Sequence, residues 1–325
     1  MKRIVKIGGA VLLVILVAVL GFVVWVQVCG VPTYEVPTSQ LPTPVVAATP
    51  TQVDLGEKLV MASCADCHLN RQTNSLSGHQ LLNIPKEFGA VYSANITQDK
   101  THGIGNWTDA EVVTLLRTGI GRDGRYRLIM PHFVHMSDED MSSMLAFLHS
   151  GSPWVKPAPT PTPAQQPSFL LKALANTVMK PTLLPTGSVA PPEPTEAITY
   201  GRYLVVGRYQ CFECHSKDFK TNNAEHPEQS EGYLGGGNQL VTLQGQSIYS
   251  RNITADPETG IGTWTEAQFG QAMRYGMAPS GPLQNPMPKY SRLTDEEVHA
   301  LYAYLQSVPK IKNATAEDGV RVATR

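Results

Sequence analysis

Cys64-Ala65-Asp66-Cys67-His68 and Cys211-Phe212-Glu213-Cys214-His215 are two copies of one pattern, Cys-x-x-Cys-His. Two cysteines three apart lie on one helical turn, so both sulfurs reach the two vinyl edges of one porphyrin, and the next residue projects its imidazole onto the iron. This is the attachment signature of c-type haem. A structural zinc site needs two further Cys or His ligands at compatible spacing, and no second cysteine pair accompanies either motif. A thioredoxin-like pair belongs between a strand and a helix, a pattern this sequence lacks. Two covalently attached haem c groups are expected, one on Cys64, Cys67 and His68, the other on Cys211, Cys214 and His215.

The motifs sit inside an internal repeat. Asn95-Ile-Thr97 and Asn252-Ile-Thr254 are 157 residues apart, and so are Gly103-Ile-Gly105 and Gly260-Ile-Gly262, Trp107 and Trp264, and Met130-Pro131 and Met287-Pro288. Upstream, Gly56-Glu-Lys-Leu-Val60 echoes Gly201-Arg-Tyr-Leu-Val205. Each copy reads as helical. Thr108/Glu111, Thr265/Gln268, Ser137/Asp140 and Thr294/Glu297 have capping-box spacing, and Gly119 and Gly276 stand where helices end. Met141, Met144, Leu145 and Leu148, like Val298, Leu301, Tyr302 and Leu305, form apolar stripes at helical spacing.

The repeat also selects the sixth iron ligand. Met136 corresponds to Leu293, Met141 to Val298, Met144 to Leu301, His132 to Lys289, His135 to Arg292 and His149 to Gln306. Only Met130 has a ligating counterpart, Met287, so the expected axial pairs are His68 with Met130 and His215 with Met287. Trp107 and Trp264 precede N-caps, which stapling to Val112 and Phe269 explains; a haem propionate is their alternative partner. Asn95 and Asn252 suit either a turn or a propionate. Arg117 and Arg274 read as surface arginines by default, with haem propionates as their alternative partners. Arg122, Arg125 and Arg127 face Pro279, Pro282 and Gln284 in the alignment, which gives one haem a basic rim and the other a neutral one.

Lys2, Arg3 and Lys6 precede an almost charge-free apolar run from Ile7 to Val28. It is longer than a signal-peptide core and long enough to cross the hydrocarbon, so an uncleaved anchor with its N-terminus inside is expected. Cys29 reads as an unpaired interfacial thiol, because Val26-Gln27-Val28 suits lipoprotein processing poorly. The segments 31–51 and 151–195 are rich in Pro and read as semi-rigid spacers, the second with a short helix from Ser168 to Lys180 presenting Phe169, Leu170 and Leu174 to a domain. The expected plan is anchor 1–30, spacer 31–51, domain 52–150, linker 151–195, domain 196–309 and polar tail 310–325. With 42% hydrophobic residues and a net charge of -1 over 325 residues, the chain can build two cores and is no basic nucleic-acid binder.

At Asn252-Ile-Thr-Ala-Asp-Pro-Glu-Thr-Gly-Ile-Gly-Thr-Trp264, Met287-Pro288 and Leu293-Thr-Asp-Glu-Glu297 the chain resembles the cytochrome c subunits of bacterial membrane-bound alcohol, aldehyde and gluconate dehydrogenases. The resemblance implies an all-α architecture of two tandem class I cytochrome c domains after the transmembrane helix. It also implies His/Met ligation at Met130 and Met287, and passage of electrons from a substrate-oxidising subunit toward quinone or an oxidase. Such subunits commonly carry three haem motifs and are often held by a C-terminal segment; this chain has two motifs and an N-terminal anchor. The expected role is a membrane-anchored dihaem electron carrier on the periplasmic side, without substrate chemistry of its own. Its partners would be a membrane-bound dehydrogenase subunit, a terminal oxidase or another cytochrome, and lipid through residues 7–28. The competing expectation is a dihaem peroxidase-type enzyme, which needs an open iron position and a distal group such as His132 or His135.

Overall fold

The computed structural model describes residues 2–315; the remainder of the polar tail, 316–325, lies outside the described residues. Among the described residues ten α-helices carry the fold. The long apolar helix α1 spans Lys2–Cys29. The first unit follows with α2 (Pro50–Ser63), α3 (Ala65–His68), α4 (Asp109–Thr118) and α5 (Asp138–Leu148), and α6 (Phe169–Thr177) lies in the proline-rich segment. The second unit has α7 (Ala197–Tyr203), α8 (Cys211–His215), α9 (Glu266–Tyr275) and α10 (Asp295–Ser307). The structure is mostly helical rather than all-α. Three short antiparallel pairs join β1 (Gly89–Ala90) to β2 (Gln166–Pro167), β3 (Gln239–Val241) to β4 (Ser247–Tyr249), and β5 (Met277–Ala278) to β6 (Gly281–Pro282).

Each unit has its own core. Leu59, Val60, Met136, Met141, Met144 and Phe147 are buried in the first, and Leu204, Phe269, Leu293, Val298 and Leu301 in the second. In both units the opening helix crosses the closing one at a glycine. A Cβ on Gly56 would stand 1.8 Å from the Ser143 carbonyl oxygen, and one on Gly201 would stand 1.9 Å from that of Ala300. Ser143 and Ala300 are themselves counterparts in the repeat, so the two crossings are one design used twice. Close backbone approach of this kind is open only to a residue without a side chain.

Three of the four expected capping boxes close reciprocally, at Thr108, Thr265 and Thr294. The fourth does not. Ser137 accepts from the Asp140 amide, but its own N–H donates to Tyr203 Oη of the second unit at 3.0 Å. The Asp140 carboxylate is taken up by Arg208 instead. A two-residue length difference underlies this: eight positions separate Gly56 from Cys64, and ten separate Gly201 from Cys211. The extra residues are absorbed by a π-helical turn, Leu204–Arg208, which continues α7. Such turns admit an insertion without ending a helix.

Arg208 enters a buried interface between the units. Its Nε and Nη2 donate to Asp140 at 2.7 and 2.9 Å, and its Nη1 donates to Glu297 at 2.8 Å. Lys58 meets Glu297 from the first unit at 2.5 Å, and Tyr203 donates to Asp140 from the second. Asp140 and Glu297 are equivalent in the repeat, as are Lys58 and Tyr203, so the interface is a pseudo-twofold built from matching positions. Desolvation works against the Arg208 charge, yet Asp140 outweighs it and holds the guanidinium well above its ordinary pKa.

The proline-rich segments lie on the first unit. The Tyr34 amide bonds Gly124, and Val46 packs on the first core. After Gly151, Val155 is fully buried in that core, Asn95 holds Ala158 and Thr160, and Thr182 Oγ1 donates to the Arg117 carbonyl. In α6 the inward residues are Leu171 and Ala175, not the expected Phe169, Leu170 and Leu174; Phe169 and Leu170 are exposed.

Candidate haem sites

Each cysteine motif begins where the opening helix of its unit ends, α2 in the first and the π-turn after α7 in the second. Cys64, Trp107 and Met130 pack against the first core, and Cys211, Trp264 and Met287 against the second. The structure thus gathers the same three residue types around each core.

The histidines are oriented alike. His68 Nδ1 donates to the Ala94 carbonyl at 2.8 Å, and His215 Nδ1 donates to the Arg251 carbonyl at 2.7 Å. Ala94 and Arg251 are 157 residues apart, so the acceptor is the same carbonyl in both copies. Desolvation holds both imidazoles below their ordinary pKa. A neutral ring that donates from Nδ1 presents the lone pair of Nε2, the form in which histidine binds a metal.

Asn95 and Asn252 build the turn that supplies this carbonyl. The Asn95 side-chain oxygen accepts from the Thr97 amide at 2.9 Å and hydroxyl at 2.7 Å. Asn252 accepts from Thr254 in the same way at 2.9 and 2.8 Å. Their amide nitrogens donate to Ala158 and Thr160 in one case, and to Thr259 and Ile311 in the other. The turn-building role is the one these bonds describe.

The thiols are protonated. Burial pushes Cys64 and Cys211 up to about 12, with the neighbouring thiol of each motif adding to it, and Cys67 up to about 11. Cys214 rises to about 12 through burial, then through Glu213 and through Asp66 of the first motif. A redox-active thiol pair needs a stabilised thiolate, and this environment does the opposite. Among the described residues no three His, Cys, Asp or Glu side chains gather as ligands for a metal ion. Protonated thiols on a helical turn beside an oriented, neutral histidine fit covalent haem.

The other candidate ligands are engaged elsewhere. Met136, Met141 and Met144 are core residues. His135 Nε2 donates to Ala224 and His149 meets Asp109 at 2.6 Å, whereas His132, packed on Gly119 and Tyr126 with Nδ1 3.3 Å from Thr182 Oγ1, keeps a buried Nε2 without a hydrogen-bond partner among the described residues. The basic rim before Met130 is partly neutralised: Arg127 pairs with Asp123 at 2.7 Å and Arg122 with Glu111 at 3.3 Å.

Arg117 and Arg274 are not surface arginines. Arg117 is 2% exposed; it donates to the Phe133 and Val134 carbonyls at 3.0 and 2.7 Å and to Asp138 at 2.8 Å. Arg274 donates to Leu293 and Asp295 at 2.9 and 2.6 Å. Both tie the segment after the methionine to the start of the closing helix. The signal was present in the sequence, because Asp138 and Asp295 recur with them at the same spacing.

Residues 51–148 match the family described as cytochrome c oxidase, cbb3-type, subunit III. Over 298 residues the chain is 33% identical to the fructose dehydrogenase cytochrome subunit of Gluconobacter japonicus, an alignment covering 87% of this chain and 57% of that protein. It is 29% identical to the cytochrome c subunit of the quinone alcohol dehydrogenase of Gluconobacter oxydans (strain 621H), covering 81% of this chain and 56% of that subunit. A diheme cytochrome c-type protein of Cereibacter sphaeroides is 28% identical, over 79% of this chain and 86% of its own length. The chain spans little more than half the length of the first two relatives. It carries a cytochrome c domain and resembles the cytochrome subunits of fructose, alcohol and gluconate dehydrogenases.

Proposed function

We propose that this chain is a membrane-anchored dihaem cytochrome with two tandem class I cytochrome c domains. It takes single electrons from a dehydrogenase or respiratory donor and passes them to an oxidase or another acceptor on the outer face of the cytoplasmic membrane. The observation that carries the reading is the repeated histidine geometry, in which the same backbone carbonyl fixes both rings. Bound haem supplies one-electron chemistry at an iron whose potential its axial ligands tune. Cys64 and Cys67 hold one group and Cys211 and Cys214 the other. His68 and Met130, and His215 and Met287, are the axial pairs. The relatives named as dehydrogenase cytochrome subunits support an electron-transfer role, and the diheme relative supports the count. The helix Arg3–Cys29, with mean hydropathy 3.0, supports the anchor.

Haem content per chain and the spectra of methionine variants test this. Wild type should carry two covalent haems, and Cys64→Ser with Cys67→Ser should carry one. Met130→Ala should keep both haems yet lose the sulfur-to-iron charge-transfer band of one and lower its potential. Met136→Ala is the control, costing about 1–3 kcal/mol of packing with no spectral change. Loss of the band in Met136→Ala, with retention in Met130→Ala, would overturn the ligand assignment.

A further inference from the structure

The short helix α6 is apolar on nearly every side, with Phe169, Leu170, Leu171, Ala173, Leu174 and Ala175 among its nine residues. A helix of that kind needs cover all round. Leu171 and Ala175 have it, but Phe169 is 37% and Leu170 44% exposed.

The contacts of α6 with α1 say what lies beside that exposed turn. The Phe169 ring meets the Phe22 ring edge-on, with centroids 6.4 Å apart. Lys172 Nζ donates to Gln27 Oε1 at 3.0 Å, and Asn176 Nδ2 donates to the Gly30 carbonyl at 2.7 Å. The three pairs advance in step, so the helices run side by side in the same direction. The N-terminal turn of α6 therefore points down α1 toward the membrane, and it lies level with Phe22.

Phe22 is six residues inside the outer end of the apolar run Ile7–Val28, about 9 Å at the helical rise. Above that level α1 is covered on one side only, where Val26 is completely buried, while Val24 and Val28 stay exposed. A hydrocarbon core about 30 Å thick takes roughly 20 residues, which counted outward from Ile7 end near Val26, so Phe22 lies inside the upper acyl region. Trp25 then stands at the headgroup level, where its ring is favoured. Ser168 caps α6 and its hydroxyl donates to Glu87, so the level of α6 fixes that of the loop Lys86–Phe88 as well.

We infer that the lipid surface of the outer leaflet receives the N-terminal turn of α6, through Phe169 and Leu170, beside α1. The partner is the headgroup and upper acyl region of the bilayer, and the first unit is clamped to it at two points rather than hung from one. Docked this way, the unit cannot rotate freely about α1. The inference rests on α1 being the membrane-spanning helix of the proposed function.

The test uses the full haem-loaded chain in phosphatidylcholine/phosphatidylglycerol liposomes containing a diazirine-bearing phosphatidylcholine. After illumination, lipid adducts are mapped by mass spectrometry. The expected result is adducts on the lower part of α1, around Val14, and on Phe169–Leu170. None should form on Val178, which is 66% exposed but lies about 12 Å higher along α6. Adducts on α1 alone, with none at Phe169–Leu170, would overturn the inference and leave the anchor standing. Absence of adducts on α1 would overturn the anchor and this inference with it. Equal labelling of Phe169–Leu170 and Val178 would also count against it, because the helix would then lie flat.

Discussion

Arg117 shows how one side chain can hold the segment after Met130 from a distance. Its guanidinium spans two carbonyls and a carboxylate just after Met130-Pro131, where the chain has no helical or sheet bonds of its own. Arg117→Leu removes three charge-assisted bonds and leaves buried acceptors unmet. It should cost about 2–4 kcal/mol and release the methionine segment. Thermal unfolding should show the loss, and the charge-transfer band of the first haem should weaken while that of the second persists. A destabilised protein with an undisturbed band would show Arg117 to be a packing residue only. The sequence marked Met130 and Met287 because liganding chemistry is confined to few residue types. For Arg117 the helix pattern alone was silent, because a charged residue on an amphipathic helix has the same signature whether it faces water or a ring of carbonyls. Only the recurrence of Asp138 and Asp295 with Arg117 and Arg274 carried the signal.

At the scale of elements, the glycine crossings are the most exacting features. Gly56→Ala or Gly201→Ala sets a methyl group within 2 Å of a backbone carbonyl oxygen, which no rotamer change relieves. Each substitution should force the opening and closing helices apart and cost at least about 1–3 kcal/mol, the range for overpacked cores. Denaturant unfolding of either variant measures this, and a midpoint unchanged from wild type would refute the crossing geometry. The helices themselves were legible beforehand, since Thr108, Thr265 and Thr294 cap them and Gly119 and Gly276 end them. The β pairs were not, because two or three residues carry no measurable alternation. The π-turn was legible only as an unexplained two-residue difference before Cys211. The inward face of α6 was misread because apolar side chains outnumber the inward positions, and the contacts with α1 and the first unit decide which of them are covered.

In the whole molecule, the two units are joined through charges, and hydrophobic patterning cannot announce such a joint. Asp140 and Glu297 read from sequence as capping-box residues, yet with Arg208 and Lys58 they form the centre of the contact. Arg208→Met leaves two buried carboxylates short of a partner and should cost about 3–5 kcal/mol. Calorimetry should show the units unfolding separately, and adding Asp140→Leu should recover part of the loss. A change under about 0.5 kcal/mol, the scale of an ordinary surface substitution, would mean that the cluster does not hold the units together. The same joint decides which units can pair. Two first units brought together across this surface would offer Ser63 where Arg208 stands, leaving each Asp140 with a single flexible lysine. Two second units would set two guanidinium groups against two Glu297 carboxylates. Only the unlike pair brings one guanidinium and one ammonium to the two carboxylates, so the residue that the π-turn carries makes the two halves of this surface different.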